Sequence, residues 1–312
     1  MTASLKNPLS EPAVPRQQII DRTKQDVGNI IFLEHVNLRN PDQKLATAFY
    51  VMGLGLTRDP YMRTGLNNMG INVGRGQIHM PVSGALRAGK PTAINKLRGT
   101  IGLVLPDLKF VAESLEKAAP WLEHTEFKYK VYEDRIEATC PWGNRYRCHA
   151  PAPEFGDADL ALAYIEFDVP RGSAAGIARF YREALLAITA VEQHGPDAVA
   201  RVDVGAYQRL LFHETDAPIP PYDGHHFQIY IANYSGPYRF LKERGLVTEA
   251  GEQWAFTDII DLDTGKILFQ VEHETRCLKH PSFNRTLVNR NPYQNDNNIE
   301  RGRDAFKGSV GN

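Results

Sequence analysis

Two histidines stand side by side in Gly224-His225-His226-Phe227-Gln228-Ile229-Tyr230-Ile231, and strand alternation sends them to opposite faces. Phe227, Ile229 and Ile231 form the apolar parity, and His225 goes with them. His226, Gln228 and Tyr230 share the other face. Further on, Ile267, Phe269 and Val271 leave Leu268, Gln270, Glu272 and Glu274 opposite. An imidazole and a carboxylate presented from strands supply a nitrogen and an anionic oxygen, the donor types that hold a divalent metal. Other histidines fall on strand-like stretches: His35 in LEHVNL, His79 in GQIHMP and His213 in LLFHE. Nucleophilic catalysis has little support, since there is no GxSxG and the cysteines lie in no activating pattern. The glycines of GLGLTRDP and GRGQ open no GxGxxG turn, so no nucleotide cofactor is expected.

The elements that must position these residues recur. FLEHVNLRNPD from Phe32, RGTIGLVLPDL from Arg98, LAYIEFDVPRG from Leu162 and HHFQIYIANYSG from His225 align so that His35, Thr100, Tyr164 and His226 share one position, 65, 64 and 62 residues apart. A nearly fixed period marks a repeated supersecondary unit. Each first strand is followed by a helical pattern, over 41–54, 107–122, 172–186 and 235–244. Asp42, Asp107 and Ser235 are read as N-caps, and Gly53 and Gly245 as stops. About three shorter strands complete each unit, giving an α+β chain of four βαβββ modules that pair into two cup-shaped sheets with helices outside the cups.

Composition narrows the function classes. Lys and Arg total 36 against 37 Asp and Glu, and no basic block occurs, which argues against a nucleic-acid partner and favours a small molecule. Three cysteines without CxxC spacing fit a reducing cytoplasm, and no apolar run reaches the ~20 residues of a membrane span. Residues 1–28 read as an N-terminal arm, 29–152 as one two-module domain, 158–277 as a second, and 278–312 as a polar tail.

The chain resembles the vicinal oxygen chelate superfamily, which includes glyoxalase I, bleomycin resistance proteins, extradiol dioxygenases and 4-hydroxyphenylpyruvate dioxygenase. Leu33–Leu38, Phe49-Tyr50 with Gly53–Leu56, Phe180-Tyr181 with Leu185-Leu186, Pro141–Arg145 and Phe269–Glu272 carry the resemblance. It implies that a divalent metal sits in a cup, held from the first and last strands of a module. With four modules the chain looks most like the ring-cleaving dioxygenases, whose Fe(II) is held by two histidines and a glutamate in the C-terminal half. The expected ligands are then His226, Glu272 and a third. The dioxygenase histidine is replaced by Tyr164, so His213 is taken for that role, with Glu166 as its alternate and Gln270 as the alternate to Glu272.

Tyr164, Gln228 and Tyr230 become candidate catalytic or substrate-contacting residues. The N-terminal cup has His35 and His79 but Thr100 and Arg147 where further ligands would stand, and is expected to be metal-poor, structural or anion-binding. The implied activity is an Fe(II) dioxygenase acting on a catechol or 2-oxo acid with O2. Its alternatives are a glyoxalase-like isomerase or lyase and a metal-free protein that sequesters a small ligand. Association of two chains stays open.

Overall fold

The computed structural model describes residues 21–60, 68–82, 94–156 and 158–284. Most of the expected N-terminal arm, and the polar tail from 285 onward, lie outside these residues.

The first module comprises β1 (Ile30–Asn37), helix α1 (Gln43–Ala46), a π-helical continuation (Thr47–Gly53), β2 (Thr57–Arg58), β3 (Asn68–Val73) and β4 (Gly76–Pro81). The second has β5 (Gly99–Val104), α2 (Leu108–Ala118), β6 (Lys128–Val131), β7 (Arg135–Thr139) and β8 (Arg145–His149). The third has β9 (Ala161–Pro170), α3 (Ala174–Ala184), β10 (Thr189–His194), β11 (Asp197–Asp203) and β12 (Arg209–Thr215). The fourth has β13 (His226–Ile231), α4 (Ser235–Lys242), β14 (Thr248–Ala250), β15 (Gln253–Ile260) and β16 (Ile267–Cys277).

The helix signals act as their chemistry requires in most places. Asp42 accepts the backbone N–H groups of Lys44 and Leu45, and Asp107 that of Phe110. Ser235 is not the cap expected of it. It is the first helical residue, and the Asn233 side chain accepts the Gly236 N–H at 3.1 Å instead. Gly245, at φ 69°, ends α4 in the left-handed conformation, with Leu246 N–H returning to the Leu241 carbonyl.

Two eight-stranded sheets result, and the modules do not pair in chain order. One sheet runs β14-β15-β16-β13-β1-β4-β3-β2 and joins modules one and four; the other runs β10-β11-β12-β9-β5-β8-β7-β6 and joins modules two and three. The halves 29–152 and 158–277 therefore each give one module to each sheet, and a cup made of modules three and four does not form. Every first strand carries the same alternation, so local pattern does not specify which first-strand edge meets which. The choice made is β1 antiparallel to β13 and β5 antiparallel to β9.

The apolar faces of the two sheets meet in one core. Phe167 of β9 lies 6.0 Å from Phe227 and 5.6 Å from Phe269, ring to ring, across from its own sheet. Helix α3 packs between, with Phe180 against Phe256 and Tyr181 against Phe212. His273 continues the apolar parity of β16 into this core, 2.5 Å from the Tyr181 hydroxyl and stacked on Phe256. Burial pushes its pKa down to about 3, so it is a neutral core histidine. The opposite faces are the cups. No helix among the described residues is long and apolar enough to cross a membrane.

Candidate metal centre

The β1–β13 seam builds the first cup's polar floor. His35 faces Gln228 across the antiparallel pair and Asn37 faces His226; Gln228 in turn pairs with Glu274 of β16. The result is a cluster of His35, His226 and Glu274 whose ligand atoms lie within 4.8 Å of one another. His35 Nε2 and His226 Nε2 each stand 3.6 Å from the same carboxylate oxygen, Glu274 Oε2. His79, on β4, stacks on the His35 ring at 3.7 Å and meets Gln77 Oε1 through its Nε2 at 2.7 Å.

A β-bulge between Leu33 and His35 makes the arrangement work. Glu34 is the extra residue, and its carboxylate reaches His35 Nδ1 at 2.5 Å. That bond commits the Nδ1 proton and leaves Nε2 as the lone-pair side, directed at Glu274. His35 is 1% exposed and its Nε2 has no hydrogen-bond partner. An unsatisfied buried nitrogen opposite a carboxylate suits a cation between them. Arg276 braces the carboxylates, bonding Glu274 Oε1 and lying 3.8 Å from Glu34 Oε2.

Electrostatics agree. Burial alone would raise the Glu34 carboxyl, yet His35 beside it brings it down to about 2. Glu274 is likewise held well below the usual carboxylate range against burial, by His35 and Arg276. Burial would lower His35, but Glu34 and Glu274 together raise it. His226 is pushed down to about 4 by burial and the neighbouring His35, so it is neutral and able to donate a lone pair at pH 7. Gln228, fully buried between His35 and Glu274 in the register, has neither side-chain atom hydrogen-bonded.

The second cup has the same strand geometry and different residues. Matched through the bulges at Glu34 in β1 and Ala163 in β9, the positions of the first cup's His35, His79, His226 and Glu274 are Tyr164, Leu211, Thr100 and Arg147. Tyr164 takes hydrogen bonds from Arg147 at 3.2 Å and meets His149 Nε2 at 2.9 Å, and packs with Val104, Phe155 and Ala163. Its ring lies over Gly102, where a Cβ would come within 2.2 Å of it.

These positions do not bring the expected ligand set together. His213 belongs to the second sheet and is separated from His226; it groups with Glu166 and Asp168. Those carboxylates are already engaged, Glu166 by Arg147 at 3.3 Å and Asp168 by Arg145 at 2.7 Å, so the group is a charge ladder on the sheet. Glu272 pairs with His226 in register but lies outside the cluster, its backbone N–H donating to the Tyr222 hydroxyl, while Glu274, two residues on, joins it. Gln270 donates to Asp258 at 2.8 Å. Tyr164 is in the second cup, away from His226, whereas Gln228 and Tyr230 do line the first. His35, assigned to a metal-poor cup, is the centre of the cluster, because β1 pairs with β13 and not with β5. Glu34, Glu274 and Arg276 were the residues missed. Glu274 shares the face of Glu272 in the sequence, and only the β13–β16 register separates the two.

No model of a known protein family matches the sequence, and no curated protein matches it. Solved structures do. Glyoxalase I from Zea mays is similar at TM-score 0.53 and 13% identity over 82% of this chain and 94% of that one, and a variant of it at 0.54 and 13% over 78% and 91%. A "putative dioxygenase" from Bacillus subtilis subsp. subtilis str. 168 is similar at 0.50 and 14% over 79% and 85%. With two sheets each built from a pair of βαβββ modules joined through their first strands, the chain has the fold of the vicinal oxygen chelate superfamily.

Proposed function

We propose that His35, His226 and Glu274 hold a divalent metal in the cup of modules one and four, and that the protein is a metal-dependent enzyme acting on a small substrate with two neighbouring oxygens. The observation that carries this is the approach of two imidazole Nε2 atoms to one carboxylate oxygen, 3.6 Å each, with His35 Nε2 buried and unsatisfied. Ligands about 2.0–2.2 Å from a metal at near-right angles stand about 3 Å apart, close to this spacing. Two histidines and one carboxylate are the set typical of non-haem Fe(II), and such a metal, when bound, would polarise the substrate oxygens and leave room for O2. An Fe(II) dioxygenase of a catechol or 2-oxo acid is therefore the reading we favour.

The chain's own groups have definite parts. Glu34 holds His35 in one tautomer and Arg276 orients the Glu274 carboxylate. Gln228 offers a buried N–H donor and a carbonyl acceptor to a substrate oxygen beside the cluster. The neighbouring cavity, lined by Glu34, Gln77, Tyr230, Ser282 and Asn284 among others, is about 40 Å³ and holds little water. One observation favours a glyoxalase-like isomerase instead. His79 stacks on His35 and groups with Glu34 and His35, which puts a further imidazole beside the proposed ligands.

The test is O2 uptake by anaerobically prepared, Fe(II)-loaded protein across a panel of catechols and 2-oxo acids. Uptake with one of them, reduced by Gln228→Ala at unchanged iron content, is the expected result. A fully iron-loaded protein that consumes no O2 with any would overturn the dioxygenase reading. A metal content that also depends on His79 would then turn attention to isomerisation.

A further inference from the structure

The second cup carries Tyr164, Thr100 and Arg147 at the positions of His35, His226 and Glu274, and it has a chemistry of its own. Over β5–β8 it opens into a cavity of about 380 Å³, within the size range of small-molecule sites. Its wall carries Lys128, Lys130, Arg145 and Arg147 with a single carboxylate, Glu137. Arg145 is matched by Asp168, and Glu137 is shared between Arg135 at 3.0 Å and Arg147 at 3.9 Å. Lys128 and Lys130, two apart on β6 and so on one face, meet no carboxylate at ion-pair distance among the described residues. Lys130 sits 4.6 Å over the Tyr132 ring, which holds its ammonium at the cavity. Arg147 stands at the position the first cup gives to Glu274, held in place by Tyr164 and Glu166, and its fork retains donors for a further acceptor.

From this reversal of charge at matched positions we infer that the second cup binds a small organic anion. Arg147 would take its carboxylate or phosphate by paired hydrogen bonds, and Lys128 and Lys130 would add positive charge at the mouth. The Tyr132 ring is itself taken up by Lys130 and Arg135, and so fixes the cationic mouth in place. The site is independent of the metal cluster, since the two cups lie on different sheets.

Titration calorimetry of the full chain with benzoate and with inorganic phosphate, at constant ionic strength, tests it. Saturable one-site binding of either is expected, and the anion that binds names the acidic group. Lys128→Gln with Lys130→Gln, both exposed and able to change without loss of fold, should weaken binding at least tenfold. Arg147→Gln should abolish it, and Glu274→Gln should leave it unchanged. Absence of saturable binding for both anions, or affinity that survives the double lysine variant, would overturn the inference. So would affinity lost on Glu274→Gln, which would place the anion in the first cup.

Discussion

Set side by side, the two cups share strand order, register and even irregularity, and differ in what a few positions carry. Both have a one-residue bulge just before the position that points into the cup: Glu34 before His35 in β1, and Ala163 before Tyr164 in β9. In the first cup the bulged residue is a carboxylate that orients an imidazole. In the second it is a methyl group that packs with Val104, Phe155 and Tyr164. The backbone thus provides the same place in both cups, and side chains decide whether it gathers imidazoles and a carboxylate or is filled. Tyr164 fills it because Gly102 lets its ring lie flat on β5.

The comparison can be broken by mutation. The largest effect is expected from Glu274→Gln or His226→Ala, each reducing metal affinity at least ~100-fold by removing a ligand, where outer-shell changes cost about 10–100-fold. His213→Ala and Tyr164→Phe, in the other sheet, should leave metal affinity unchanged when assayed in parallel. Glu34→Gln should fall in the outer-shell range, since it alters the tautomer and basicity of His35 and no ligand; metal titration with the folded state checked by circular dichroism separates these cases.

A pH series sharpens the same contrast. The raised pKa of His35 means that, without metal, its charge stabilises the fold fully below its unfolded value of ~6.5, and this stability is lost as pH rises through the folded value. Metal competes with that proton, so metal affinity should rise over the same window. Thermal melts of metal-free and metal-loaded protein from pH 6 upward should therefore diverge, with the metal-loaded form the less pH-sensitive. The smallest effect is expected in the second cup. Gly102→Ala should cost ~1–3 kcal/mol by driving a methyl into the Tyr164 ring, read by denaturant titration, with metal content unaffected.

Much of this was legible in the sequence. The alternation of Phe227, Ile229 and Ile231 against His226 and Gln228 gave the correct cup face, and Asp42 and Asp107 marked real helix starts. The sixty-residue phase located all four first strands. What escaped was long-range: nothing within a module records that β1 pairs with β13, and that pairing alone brings His35 to His226. Glu272 and Glu274 have the same parity, and a strand's two-residue period cannot tell one from the other. Their difference comes from register, Glu274 lying beside Gln228 and within reach of both imidazoles. His213 looked suitable as a strand-end histidine because its sheet could not be known from its neighbours.

The most direct test of the central claim is elemental analysis of protein purified without oxygen or chelator, comparing the wild type with Glu274→Gln and His213→Ala. A cluster of His35, His226 and Glu274 predicts close to one metal per chain in the wild type and in His213→Ala, and none in Glu274→Gln. Metal retained by Glu274→Gln, or lost from His213→Ala, would contradict it.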